Sequence, residues 1–424
     1  MIKKLEIDGY RLLDGFEADL GDLTVVIGRN GTGKSTLLDC LHLISQCAGY
    51  PLNDVLLWHQ GLSSLASAGK ESRTLGWRIL FDGSDGKGLW GSLPPKEGQE
   101  LLYEVRLERA PNWTAVPAYE VLRSAEPFPG YGQPFKYLES RAGRRKIFDT
   151  SQKRLAELPL FPEEAPTGEV EHAMPAADLS PKGPSLLLSE ARLRENYPVA
   201  SSVRTLFASF AFYPGFKVEA QAPSRQPSQV SPMQVLLPTG DNVSSVLHEI
   251  FTRVDFRDAA EEVRGYLRSA YEWVEEIGAE TWWGGPGMVI VRTREAGMQR
   301  PMNVWELSDG MLRFLCLEAA LLNPFLPPFV AIDEPEVGLH PGLLPIVADM
   351  VKTASERAQV LVTTQSPDLL QCFELDQVAV MTREGTYAKW FRPGTRESLR
   401  KMLEAVGGEA LADLHRSGEL EAMP

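Results

Sequence analysis

The stretch Leu23-Thr24-Val25-Val26-Ile27-Gly28-Arg29-Asn30-Gly31-Thr32-Gly33-Lys34-Ser35-Thr36-Leu37-Leu38 decides the fold. An apolar, β-branched run stops at a glycine-rich turn, and a second apolar run opens after Lys34-Ser35, so the order is strand, loop, helix. Gly28, Gly31 and Gly33 let the backbone curl until successive N–H groups point at one centre, and the helix that follows turns its positive end toward the same place. A row of phosphates is the chemistry that fits. Asn30, Thr32 and Thr36 belong to the same loop, Lys34 reaches the β and γ phosphates of a nucleoside triphosphate, and Ser35 offers its hydroxyl to Mg2+. The plain alternative is a glycine-rich turn that matches by accident, and the flanking strand and helix count against it.

A second acidic motif falls near the other end of the chain. Pro328-Phe329-Val330-Ala331-Ile332-Asp333-Glu334 is a buried-strand pattern closed by two carboxylates. Asp333 suits a metal held through water, and Glu334 suits polarisation of an attacking water. Upstream, Leu307-Ser308-Asp309-Gly310-Met311-Leu312-Arg313 carries a hydroxyl and a glycine at a helix start, with Phe314, Leu315, Leu317 and Leu321 continuing at helical spacing. A helix start is an anion site.

These residues together resemble the ABC-type ATPase heads of the SMC, RecF and OLD families, in particular stand-alone AAA15/AAA21-like ATPases. Ser308-Asp309-Gly310 resembles their signature motif, and Asp333-Glu334-Pro335-Glu336-Val337-Gly338-Leu339-His340-Pro341 resembles Walker B with the D-loop. Val362-Thr363-Thr364-Gln365-Ser366-Pro367 resembles the switch segment. Gly240-Asp241-Asn242 ahead of a helix is a looser match. The resemblance implies an α/β P-loop NTPase head assembled from both chain ends, with an inserted α-rich lid. It also implies ATP and Mg2+ as cofactors, with Ser35 and Asp333 on the metal. Glu334, Gln365 and Ser308 take the catalytic roles. ATP then sits on Gly28 to Thr36 of one subunit, under Ser308-Asp309-Gly310 of a second. Gln365 stands where the group usually has histidine; it can hydrogen-bond a phosphate or water but carries no positive charge.

Smaller features have two readings each. Arg11 matches an early arginine that related heads use near the nucleotide, and is otherwise an exposed turn residue. By resemblance Glu336 and His340 lie near the subunit boundary, while Leu339-His340-Pro341 also reads as a helix start, since proline suits the first helical position. Arg313 faces the partner's phosphate or caps the acidic strand end. Gln60 is the nearest candidate for a glutamine loop, against an ordinary surface residue.

About 300 residues separate the two phosphate motifs, which argues against ring-forming AAA+ proteins, where both sit in one compact series. The expected division is 1–110 for a first head lobe, 111–294 for the insert and 295–424 for a second lobe. Strand patterns occur at Met1–Ile7, Trp77–Phe81, Tyr103–Leu107 and Phe135–Leu138. Pro159, Pro162, Pro166, Pro175, Pro181 and Pro184 mark a flexible excursion. Helical patterns return at Leu186–Arg194, Val203–Phe210, Val243–Phe251 and Ala259–Trp273. Heptads are not sustained, so no coiled-coil arm is expected. After Gln365 the chain offers strands at Val378–Met381 and Tyr387–Phe391 and short helices near Leu399 and Leu411, too little for a second catalytic domain.

Composition narrows the partners. With 43 basic and 57 acidic residues the formal charge is −14, so the chain as a whole does not attract nucleic acid. Arg141-Ala142-Gly143-Arg144-Arg145-Lys146 reads as a basic hairpin tip, either solvated or a local DNA contact. The N-terminus has no secretory pattern, and the most apolar span, Phe314 to Ile332, is broken by Glu318, Asn323 and prolines, so a cytoplasmic location without membrane contact is expected. Cys40, Cys47, Cys316 and Cys372 have no metal spacing and read as core thiols. Asp82–Gly86 is a faint calcium-loop pattern with Leu93 at the closing position, hence a hairpin turn. The expected function is an ATP-bridged homodimer that hydrolyses ATP and gates a separately encoded effector, in phage defence or DNA maintenance. The alternatives are a RecF-like DNA clamp and a non-hydrolysing scaffold.

Overall fold

The structure, a computed structural model, describes residues 1–67, 74–82, 100–109, 115–128, 130, 132–141, 144–149, 154–158, 185–191, 196–232, 234–397, 400 and 408–422. The chain forms two compact units. One comprises Gly21–Leu38, Ala211–Thr382 and Phe391–Pro424. The other comprises Met1–Leu20, Asp39–Phe210 and Arg383–Trp390.

The unit that carries the phosphate motifs is built on parallel strands in the order Ala211–Tyr213, Phe329–Asp333, Gln359–Thr363, Leu23–Ile27 and Val378–Glu384. Their sequences are near-continuous apolar runs because both faces are covered: Leu23–Ile27 and Gln359–Thr363 are buried at every position. The register pairs Asp333 with Thr363 and Thr363 with Val26. Strand ends that lie hundreds of residues apart therefore meet at one edge, the carboxyl edge, where open parallel sheets hold ligands. The helices Asp309–Leu321 and Leu344–Ser355 pack their apolar sides into the same core through Leu312, Phe314, Leu315, Val347 and Val351. Glu318 is fully buried in the first of these, and neither carboxylate oxygen has a hydrogen-bond partner. Burial pushes its carboxyl well above the usual range. A hairpin of Val274–Thr281 and Met288–Glu295 extends the unit.

The other unit carries an antiparallel sheet of eight strands, in the order Phe16–Asp19, Ile2–Asp8, Thr74–Asp82, Glu100–Arg109, Ala115–Pro127, Pro134–Arg141, Arg144–Asp149 and Arg154–Leu158. Its alternating strands bury one face, as in Phe16–Asp19 with Phe16 and Ala18 inward. Glu120 lies inside this unit, wholly buried, and accepts the Tyr103 hydroxyl at 2.9 Å and the Leu187 and Leu188 N–H groups at 2.6 and 2.9 Å. Desolvation outweighs these bonds and pushes its carboxyl up to about 7. A raised carboxyl stabilises the fold below its unfolded value of 4.5 and loses that contribution as pH climbs to about 7. Wild type should therefore lose roughly 3 kcal/mol relative to Glu120→Gln between those limits. Urea unfolding at a series of pH values measures this, and a pH-independent gap between the two proteins would contradict it.

The elements depart from expectation in the middle of the chain. The compact units divide at 20/21, 38/39, 210/211, 382/383 and 390/391, so both units draw on residues 111–294. Within 111–294 the described residues form strands up to Leu158, helices at Leu187–Glu190, Pro198–Ala208, Val243–Thr252 and Arg257–Ala270, and then the hairpin. The helical pattern expected to reach Trp273 stops at Ala270 because the next residues pair as a strand, Val274 opposite Glu295 and Thr281 opposite Val289. The Pro159–Pro184 excursion, the 83–86 turn with Leu93, and the helix near Leu399 lie outside the described residues. Among the described residues no helix is long and apolar enough to cross a membrane.

Candidate nucleotide-binding site

The glycine loop curls as its sequence requires. Gly28 has φ +155°, and a Cβ there would stand 2.3 Å from the Met381 carbonyl oxygen and 2.8 Å from Thr32 Oγ1, so no other residue fits. Thr32 fastens the turn by donating its hydroxyl to the Arg29 carbonyl at 2.9 Å. Lys34 is buried, with its ammonium drawn to the Gly28 carbonyl at 2.6 Å, which aims the charge into the loop. Ser35 and Thr36 open the helix Lys34–Gly49.

The central contact joins the two ends of the chain. The Ser35 hydroxyl donates to Asp333 Oδ2 at 2.9 Å, across 298 residues of sequence. Asp333 also accepts the Thr363 hydroxyl on its other oxygen. Among the described residues no group of three or more His, Cys, Asp or Glu is placed to hold a metal. The Ser35 and Asp333 oxygens instead fit Mg2+, which takes one or two protein oxygens and fills its shell with water and phosphate.

Glu334 follows in a left-handed conformation with φ 49°, unusual for a residue with a side chain. Its N–H donates to the Thr363 carbonyl at 3.0 Å, which holds the turn. Such strain costs about 1–3 kcal/mol and persists where surroundings over-determine it. Gln365 donates its side-chain N–H to Glu334 Oε1. Next to them, Glu336 accepts the Thr364 hydroxyl at 2.6 Å and the Gln365 N–H at 3.1 Å, and burial raises its carboxyl above the usual range. Its carboxylate thus ties the D-loop to the switch segment of the same chain. His340 Nδ1 accepts the Gly342 N–H at 3.1 Å and caps the turn Pro341–Leu343 ahead of a helix.

Ser308 caps the helix Asp309–Leu321 by accepting the Met311 N–H at 3.2 Å, and both Ser308 and Asp309 are exposed. What fixes this helix start is Arg225, which sequence reasoning missed. Only 4 % exposed, it donates to the Val218 and Leu307 carbonyls, each at 2.7 Å, and pairs with Asp309. No local signal marks it, since Pro223-Ser224-Arg225 reads as a surface turn. Arg313 donates to the Phe216 carbonyl at 3.2 Å and lies against Gly338 of the D-loop. It helps line a cavity of about 180 Å3 with Asp333 and Glu334.

Other expected residues fall in the second unit. Arg11, with φ 42°, pairs with Asp39 at 2.7 Å. Gln60 is an exposed left-handed residue, φ 61°, after the helix Leu52–Trp58. In the basic hairpin Arg141 opposes Arg144, and Arg145 turns inward to pair with Glu190 at 2.6 Å, while residues 142–143 lie outside the described set. Cys40 and Cys47 in this unit and Cys316 in the phosphate-binding unit are buried thiols, and Cys372 in the latter is half-buried.

Comparison with known proteins agrees with this fold. The head of an Smc protein bound to the C-winged helix domain of ScpA covers 93 % of this chain and 99 % of its own, at 13 % identity and a TM-score of 0.53. A Pyrococcus furiosus Smc head with an extended coiled coil, bound to the C-terminal domain of ScpA, covers 96 % and 99 % at 13 % identity and a TM-score of 0.52. A Pyrococcus yayanosii Smc head with a coiled coil and joint covers 96 % and 99 %, at 10 % identity and a TM-score of 0.51. Identities this low speak for the fold alone. In sequence, an OLD nuclease of Thermus scotoductus is 39 % identical over 44 residues, a match that spans 10 % of this chain and only 8 % of that protein. The family described as "AAA domain, putative AbiEii toxin, Type IV TA system" matches residues 23–371, from the strand before the phosphate loop to just past the switch. The chain belongs to that AAA family, with an ABC-type ATPase head of the SMC and OLD kind.

Proposed function

We propose that this protein binds and hydrolyses ATP with Mg2+, closes on a second copy of itself around the nucleotide, and through that closure gates a separate effector, in phage defence or DNA maintenance. The observation that carries the reading is the 2.9 Å contact between Ser35 and Asp333, supported by Lys34 aimed into the loop and Glu334 held beside Gln365. Mg2+ neutralises phosphate charge when bound. Gly28 to Thr36 hold the phosphates through backbone N–H groups and Lys34, while Ser35 and Asp333 hold the metal. Glu334 accepts the proton of the attacking water, and Gln365 orients Glu334 and that water by its amide without contributing charge.

A homodimer is supported by the exposed start of the helix Asp309–Leu321. Its Ser308-Asp309-Gly310 N–H groups suit a phosphate, and buried Arg225 holds them in place from behind. Loss of the shared γ phosphate then releases two surfaces together, which moves whatever either copy carries. Two of the Smc heads above are bound to domains of ScpA, which makes a protein partner a reasonable recipient of that motion. A DNA clamp is less well supported, since the net charge is −14 and Arg145 of the basic hairpin is buried in an ion pair.

The test is the mass in solution of Glu334→Gln, by light scattering, with Mg-ATP and with Mg-ADP. Doubling with ATP and not with ADP is expected. One mass in all conditions would remove the ATP-bridged pair.

A further inference from the structure

The helix Gly408–Ser417, with the short helix Glu419–Ala422 after it, is held in the phosphate-binding unit by Leu411, Ala412 and Leu420, all at most 2 % exposed. Arg416 anchors it further by pairing with Asp368 at 2.8 Å, three residues beyond Gln365. The turn after this helix meets the phosphate loop. Gly418 has φ +74°, its N–H donates to the His415 carbonyl at 3.0 Å, and a Cβ on it would lie 2.3 Å from Arg29 Nη2. The backbone conformation favours glycine, and any side chain there would push the movable guanidinium of Arg29 off the turn. Between the turn and the loop is a cavity of about 300 Å3 lined by Arg29, Asn30, Gln365, His415, Arg416 and Ser417 with Gly28 and Gly418. Every lining side chain is a cation or a hydrogen-bond donor, and none is a carboxylate. Gln365 in the wall reaches Glu334, so the cavity opens on the side of the loop where the terminal phosphate of a bound triphosphate belongs.

We propose that the C-terminal turn His415–Gly418 is a wall of the nucleotide site and holds Arg29 toward the terminal phosphate, so that the chain distinguishes triphosphate from diphosphate within one subunit. This rests on the nucleotide reading above. The phosphate loop and Lys34 grip what ATP and ADP share. Arg29, backed by a wall of hydrogen-bond donors whose Arg416 is paired with Asp368 and Asp413, meets the group that only ATP has, and a charge-assisted contact of this kind is geometry-dependent. Because Arg416 is tied to Asp368, the occupied cavity also fixes the segment that carries Gln365.

The experiment compares the affinity of the full chain for ADP and for a non-hydrolysed ATP analogue by calorimetry. The proteins are wild type, Arg29→Ala, Gly418→Val, their double variant and Lys34→Ala. Arg29 is exposed, so its variant folds even where Gly418→Val is strained. Arg29→Ala and Gly418→Val should each weaken the analogue on the order of tenfold and leave ADP within about twofold. The double variant should be no weaker than the worse single one, since both remove one contact. Unchanged affinities, or equal loss for both ligands, would overturn the proposal while leaving the nucleotide reading intact. If wild type bound neither ligand, the nucleotide reading itself would fail. Inorganic phosphate titrated alone into Lys34→Ala should show no binding; saturable binding abolished by Arg29→Ala would make the cavity a free-anion site instead and reject the proposal.

Discussion

Glu334→Gln should lower ATP turnover by at least about a hundredfold while nucleotide affinity stays close to wild type, whereas Lys34→Ala should lose affinity itself. The difference follows from position. Removing a general base costs on the order of 10²–10⁴ in rate and leaves phosphate contacts alone. Lys34 is buried with its ammonium 2.6 Å from the Gly28 carbonyl, so alanine there removes the charge from the loop and leaves that oxygen without its donor. Steady-state phosphate release together with calorimetric titration separates the two. Equal and negligible rates in wild type and Glu334→Gln would leave a nucleotide-held scaffold as the better description, with Gln365 unable to support turnover.

Arg225→Ala carries the second large effect. The guanidinium satisfies the Val218 and Leu307 carbonyls and holds Asp309, and nothing else in the described residues is placed to take over these buried acceptors. Leaving them unpaired should cost about 2–4 kcal/mol of stability. Lysine restores charge without the planar fork that reaches three acceptors, so Arg225→Lys should recover only a small part. The Ser308-Asp309-Gly310 helix start would lose its backing at the same time, and turnover should fall more than the folded fraction does. Denaturant unfolding and turnover per folded molecule measure the two losses. A wild-type unfolding midpoint in Arg225→Ala would show that the helix start is held by other means.

Much of the site is legible in the amino-acid sequence because phosphate binding is local chemistry. A strand, three glycines, Lys34-Ser35 and a helix are contiguous, and their spacing alone specifies the loop. Asp333-Glu334 is legible only through its context, the helix start at Ser308-Asp309-Gly310 just upstream, since apolar strands ending in Asp-Glu also arise by chance. Ser308 is legible as a helix cap. The glutamate that bridges D-loop and switch is not, since Glu336 among exposed neighbours gives no sign that its carboxylate turns inward to Thr364 and Gln365. The hairpin Val274–Thr281 with Met288–Glu295 escapes a sequence reading because acidic pairs blur its alternation, and its pairing exists only once the partner strand is beside it. The helix near Leu411 is expected from its pattern, but its docking against Arg29 is not.

By itself the sequence determined that this chain is a phosphate-loop ATPase head with motifs at both ends, since each motif is a short run whose backbone geometry its own residues dictate. Only the tertiary structure decided that Ser35 and Asp333 touch, that Arg225 stands behind the signature helix, and that the C-terminal turn faces the phosphate loop. Those contacts depend on the register of parallel strands and the docking of helices. Both are set by how apolar faces fill a shared core and leave no trace in the spacing of neighbouring residues.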